Sequence, residues 1–171
     1  NKHPSFRKWS ACPCICNEGI QIRKAETADL KEIQNLNKML FELEFKNFDL
    51  TLDVNWCISE GGIEYYEDAI NNSITLVAVY ENKIVGYLIG SLNTQNTYNK
   101  YSQAELDNMC ILEQYRKLGI GCKLFNRFKE ICIENNIKEL KVVASYKNKN
   151  AINFYKKNGF QEADLTLKQR L

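Results

Sequence analysis

The residues that invite a chemical reading stand together at positions 111–124, Ile-Leu-Glu-Gln-Tyr-Arg-Lys-Leu-Gly-Ile-Gly-Cys-Lys-Leu. A β-prone run closes at Ile111, a basic stretch with Gly119 and Gly121 follows, and an amphipathic helical pattern begins behind it. The first amides of a helix have no intrahelical acceptor and carry part of a positive charge. Glycine lets a ligand approach the backbone closely. Strand, basic glycine loop and helix start, in that order, suit a phosphate or diphosphate. Arg116, Lys117 and Lys123 add formal positive charge. The stretch lacks the G-x-x-x-x-G-K-[ST] of a P-loop. It also departs from the G-x-G-x-x-G of dinucleotide sites, because Leu124 stands where a third glycine would let the helix pack closely. A plain strand-to-helix turn whose glycines only permit the bend is the alternative, and it must also explain the arginine three residues before the first glycine.

Further chemistry lies upstream. Glu105 and Asp107 are two apart in a β-prone run and so share a face. Neighbouring carboxylates raise one another's proton affinity and attract a cation; a solvated strand edge is the plainer alternative. Phe48, Asp49, Asp53, Trp56, Glu64, Tyr65, Tyr66, Glu67 and Asp68 form an acidic and aromatic group before the first long β-prone run. Such a group suits a cationic amine, and ordinary solvated helix faces explain it as well. The one histidine, His3, argues against chemistry that needs a buried imidazole, such as a Ser-His-Asp triad.

The elements that must position these residues follow from periodicity. Residues 20–23 alternate as a short strand, and Thr27 reads as a helix N-cap. Leu30, Ile33, Leu36, Leu40 and Leu43 recur at helical spacing, so a helix is expected to about Phe45. Residues 46–61, with the breaker pair Gly61-Gly62, read as a loop or broken helix, and 63–70 as a second helix. Residues 73–80 and 84–92 form an antiparallel hairpin about the turn Glu81-Asn82-Lys83. A loop over 93–102, a strand over 104–111, a helix over 118–135 and a short strand over 139–144 come next. A last helix, 150–158, stops at Gly159, a natural left-handed cap. Residues 160–171 are expected to supply one or two closing strands. The order β-α-α-β-β-β-α-β-α-β describes a mixed α/β fold with a meander and a right-handed parallel crossover, not a doubly wound one. The expected organisation is an irregular extension over 1–19 and one domain over 20–171.

Two blocks carry a resemblance. Arg116-x-x-Gly119-x-Gly121 is similar to the Q/R-x-x-G-x-G/A signature of the GNAT acetyltransferase superfamily. Asn148-Lys149-Asn150-Ala151-Ile152-Asn153-Phe154-Tyr155-Lys156-Lys157-Asn158-Gly159-Phe160 resembles that family's N-x-x-A-x-x-[FL]-Y-x-x-x-G-F helix. The blocks stand in the family's order, and the likeness covers about residues 20–171. Two departures are Lys117, where the family often has Gly, and Glu113, where it often has Pro.

The resemblance implies a mostly antiparallel sheet flanked by helices, with a splayed strand pair that admits coenzyme A. It implies an enzyme moving acetyl from acetyl-CoA to a primary amine, with a small cationic amine preferred, a peptide or protein amine as the alternative, and a non-catalytic acyl-CoA sensor as a further one. Backbone around Ile111, Leu112 and Glu113 would meet the pantetheine and thioester. Arg116, Lys117, Leu118, Gly119, Ile120, Gly121, Cys122 and Lys123 would hold the diphosphate, and Asn148, Ala151 and Tyr155 would meet the cofactor from the second block, with N-capping of the last helix as the plainer role of Asn148. Tyr155 would donate a proton to the leaving sulfur, its ordinary pKa of roughly 10 keeping it protonated at neutral pH. Asp107, with Glu105, would receive the amine.

Bulk properties agree with a globular protein. The 171 residues suffice for one hydrophobic core. With 23 basic and 21 acidic residues the net charge is +2, which gives no footprint for nucleic acid. No run reaches the roughly 20 apolar residues of a membrane helix, and no signal peptide is expected in 1–19. Seven cysteines, an odd number, read as reduced thiols in the cytoplasm. Cys57, Cys110, Cys122 and Cys132 fall in apolar patterns. Cys12, Cys14 and Cys16 lack the spacing of a zinc site, so no metal is expected. The family's frequent dimers make a homodimer an open expectation.

Overall fold

The computed structural model describes residues 19–92, 100–169 and 171. The chain divides into two units, the larger from Pro13 to Val143 and the smaller including Ala144–Leu171. Cys12, Cys14 and Cys16 lie outside the described residues.

The larger unit is built on a sheet in sequential order: β1 (Gln21–Lys24), β2 (Ile74–Tyr80), β3 (Lys83–Ser91), β4 (Gln103–Ile111) and β5 (Glu139–Val142). The first four strands pair antiparallel, and β4 pairs β5 in parallel. The β2–β3 hairpin turns on Glu81 and Asn82, both with positive φ (47° and 61°), the geometry that matches strand twist in a two-residue loop. β2, Ile-Thr-Leu-Val-Ala-Val-Tyr, is apolar on both faces because both are covered. On one face Val77, Tyr87, Ile89 and Cys110 pack with Ile33, Leu36, Tyr66, Ala69 and Ile70 of α1 (Leu30–Asn47) and α2 (Glu60–Asn72). Alternation turns Gly90 to the other face, where the ring of Phe128 from α3 (Ile120–Glu134) fills the space a Cβ would need.

Several boundaries differ from the periodicity. Thr27 is not an N-cap: it opens a 3-10 turn, Thr27–Asp29, capped by a reciprocal box between Glu26 and Asp29. Asp29 also takes both terminal nitrogens of Arg23, at 2.6 and 2.9 Å, so three donors compete in favour of the turn over an early α start. Gly61-Gly62 does not break α2. The helix starts at Glu60 because Ser59 caps Gly62, and Gly62 is small because the backbone of Trp56 and Cys57 passes against it. The intervening segment is a loop with a 3-10 turn, Trp56–Ile58.

In the smaller unit α4 spans Lys149–Lys157. Asn148 caps it through Oδ1 to the Ala151 amide at 3.1 Å, and Gly159 follows with φ 95°, the left-handed stop expected of it. The closing strands expected over 160–171 are not there: none of the described residues 160–169 is in a strand. Leu165 and Leu167 do alternate, but they are 75% and 85% exposed. An alternating pattern specifies a strand only where one face is buried.

Candidate acyl-transfer site

β4 continues past its parallel partner. The β4–β5 ladder covers Gln103–Leu106 against Glu139–Val142 and then stops, while β4 stays paired to β3 as far as Ile111. From Asp107 to Ile111 the β5 side of β4 therefore carries no ladder, the opening that the resemblance implies. Within the larger unit the open edge leads into the loop of Glu113–Tyr115 and the start of α3.

That start is shaped by two left-handed residues. Gly119 is the N-cap of α3 and is left-handed (φ 79°), and Lys117 before it is left-handed too (φ 63°). The unfavourable φ at Lys117 gives a physical reason for the glycine common in this position. The ladder of α3 begins with the Lys123 amide on Gly119 O at 3.1 Å. The Ile120 and Gly121 amides precede it and have no backbone acceptor among the described residues. Not every implied contact is available in the same way. The Leu112 amide already bonds Val85 O at 2.9 Å, so by alternation the Ile111 amide points away from β3. Arg116 folds back, its Nε donating to Ile111 O at 3.0 Å, and pins the strand end to the loop. Cys122 is partly buried, and Glu113 and Lys123 flank the turn.

The carboxylates differ from one another. β4 carries a bulge at Asp107: Ile89 opposes Asn108 and Gly90 opposes Leu106, leaving Asp107 without a partner. A bulge re-aims side chains, and here two successive residues reach the same tyrosine. Asn108 Nδ2 makes a long 3.5 Å contact with Tyr65 Oη, and the Asp107 charge acts on that same hydroxyl. The surrounding protein raises the Asp107 pKa, although the residue keeps solvent access that tempers the effect. Glu105 raises it further, while a Ser91 hydrogen bond and the Lys141 charge lower it. Glu105 is held otherwise: it faces Lys141 in the parallel register and accepts from its Nζ at 3.1 Å.

The aromatic and acidic group separates on inspection. Tyr66 is fully buried and belongs to the core. Burial drives its pKa strongly upward. Trp56 packs against Tyr65 with ring centroids 5.6 Å apart. Asp49 and Asp53 close local turns onto Thr51 and Asn55, and Glu64, Glu67 and Asp68 lie on the exposed face of α2. Only Tyr65 among these reaches the β4 bulge. A carboxylate that periodicity does not single out, Glu44 of α1, is partly buried; burial first, then Asp49, raises its pKa. Its charge and that of Arg116 act with opposite sign on Cys110, whose thiol burial pushes up to about 11. Ser91, Asn108 and Lys141 likewise become visible only once the strand register is known.

Tyr155 lies in the smaller unit, on α4, partly buried, with its ring 5.4 Å from Phe154 and 5.5 Å from Phe160. Ala151 is one turn before it, beside the Asn148 cap. Among the described residues no cluster of His, Cys, Asp and Glu has the geometry of a metal site, and no helix is long and apolar enough to cross a membrane.

The acetyltransferase (GNAT) family model matches residues 36–160. The chain belongs to that family and is an N-acetyltransferase. It is similar to an N-alpha-acetyltransferase of Sulfurisphaera tokodaii, 28% identical over 83% of this chain and 80% of the relative. The fold is shared with the PaiA N-acetyltransferase of Thermoplasma acidophilum in complex with coenzyme A (TM-score 0.71, 19% identity, 86% of this chain and 93% of that one). It is also shared with an aminoglycoside acetyltransferase from an uncultured soil metagenomic sample in complex with sisomicin (TM-score 0.66, 25% identity, 89% and 96%).

Proposed function

We propose that the chain transfers the acetyl group of acetyl-CoA to a primary amine, with the α3 start as the diphosphate seat and Asp107 as the carboxylate that receives the amine. One observation carries the reading. A single strand edge, open from Asp107 to Ile111, joins a bulged carboxylate at one end to a helix start with unclaimed amides at the other. Acetyl-CoA supplies an activated thioester. The chain's own contribution is to aim it and to manage protons. The Ile120 and Gly121 amides and the α3 dipole hold negative charge. The Ile111 amide, turned to the open edge, is placed to stabilise charge on a carbonyl oxygen, a contribution of about 3 kcal/mol when such a donor is well aligned. Asp107 attracts the ammonium, and its raised proton affinity suits it to accept a proton as the amine is freed. Protonation of the departing sulfur is assigned to Tyr155 on the strength of its motif.

A small cationic amine is the first acceptor class, because Asp107 offers a carboxylate of raised proton affinity at the open edge of β4. A peptide α-amine is the second, favoured by the N-alpha-acetyltransferase relative. The test is release of free thiol from acetyl-CoA with two panels, small diamines and peptides with free N-termini. Transfer to either supports the chemistry, and the faster panel names the class. Coenzyme A binding without thiol release from any amine would contradict it and favour a sensor role.

A further inference from the structure

Two carboxylates, Glu105 and Asp107, stand on β4 where its parallel ladder with β5 ends. Glu105 and Lys141 are direct partners in the parallel ladder, one residue before it ends at Leu106 and Val142. Their side chains close at 3.1 Å, with Glu105 22% and Lys141 41% exposed. Asp107 comes next on the same strand, at the bulge, where β5 no longer pairs. We propose that Lys141 is a positioning residue: by closing its ion pair on Glu105 across the β4–β5 ladder, it removes Glu105 as a competing cation site and leaves Asp107 as the carboxylate for the incoming ammonium. The inference rests on the reading of Asp107 given above and goes beyond it by dividing the two carboxylates into one that is held and one that is used.

Among the described residues, the charged and titratable groups that act on Asp107 are few. Glu105 stands on its own strand, Lys141 on β5 and Tyr65 on α2, and β3 contributes the neutral hydroxyl of Ser91. Lys141 and Glu105 act on Asp107 with opposite sign. Removing the lysine deletes a positive charge and leaves Glu105 uncompensated, so Asp107 holds its proton to higher pH. Removing the Glu105 charge ends a repulsion and leaves Lys141 facing Asp107, so Asp107 loses its proton at lower pH. A partly exposed ion pair contributes little to stability, and the fold is expected to survive either change.

The experiment is a carbon-13 NMR titration of the Asp107 carboxyl in the full chain, in wild type, Lys141→Met, Glu105→Gln, the double variant and Lys141→Arg. It needs no turnover. The expected result is an upward shift for Lys141→Met, a downward shift for Glu105→Gln, a value between the two for the double variant and no change for Lys141→Arg. The same order is expected in the acidic limb of kcat/KM against pH. Shifts of one sign in both single variants, or none, would overturn the proposal. If the NMR shifts appear and the acidic limb does not follow them, the ion pair sets the carboxyl's titration but Asp107 is not the acceptor group, and the reading under Proposed function fails instead. Should Lys141→Met unfold, Lys141→Gln carries the same expected sign.

Discussion

Asp107 and Glu105 share a face in the sequence, yet they meet different fates, because side chains from other strands reach them unequally. On the proposed assignment, Asp107→Asn removes the ammonium's partner and its proton acceptor while keeping the side-chain volume. General acid–base contributions of about 100-fold or more set the expected loss in kcat/KM, read from steady-state thiol release. With Asp107 in that role, its raised pKa predicts an acidic limb in the wild-type profile: activity should fall as pH drops through that raised value, at a higher pH than an ordinary aspartate would impose. Tyr155→Phe is expected to lower kcat and leave coenzyme A affinity within twofold, checked by calorimetry beside the kinetics. Asp29 illustrates the opposite sign. Its hydrogen bonds to Arg23, and secondarily to the Glu26 amide, hold its pKa below the ordinary aspartate range. It therefore contributes stability that is present above the unfolded value and is lost as pH falls through the lowered one. Asp29→Ala should cost about 1–2 kcal/mol, discounted because Arg23 is 34% exposed, measured by urea unfolding at pH 7 and fading as pH falls through the lowered Asp29 value.

At the scale of elements, what reads directly from sequence is what depends on local chemistry. The Gly159 stop, the Asn148 cap, the Glu81-Asn82 turn and the apolar period of α3 are local, and each occurs where the residues place it. What is not legible depends on distant partners. Gly61-Gly62 reads as a break, but Gly62 sits in the first turn of α2 because Trp56 and Cys57 backbone leaves no room for a Cβ. Gly62→Ala should therefore destabilise by about 1–3 kcal/mol, read as a lower denaturation midpoint, although helix propensity alone favours alanine. The bulge that separates Asp107 from its neighbours, and the Lys141 that faces Glu105, follow from register and leave no local mark. Leu165 and Leu167 carry a strand pattern without a buried face to fix it. Lys117 tests the loop from its own conformation. A left-handed non-glycine residue costs about 1–2 kcal/mol, and Lys117→Gly returns part of that against a more flexible unfolded chain. A gain of about 0.5 kcal/mol is expected.

For the whole molecule, family membership and fold class follow from two motif blocks that lie in different units of the chain, the Arg116–Gly121 loop in the larger and the Tyr155 helix in the smaller. A ligand bound to the native state alone raises stability in proportion to the logarithm of its concentration over Kd. Coenzyme A should thus raise the melting temperature, and Gly121→Glu, which would set a carboxylate in the proposed diphosphate seat, should weaken binding at least tenfold, roughly 1.4 kcal/mol, and remove most of that rise. The most direct measurement is a crystal structure grown with coenzyme A. The account predicts diphosphate oxygens within about 3 Å of the Ile120 and Gly121 amide nitrogens and pantetheine along β4 between Asp107 and Ile111. Bound coenzyme A lying elsewhere, with the start of α3 and the open edge of β4 both vacant, would contradict it.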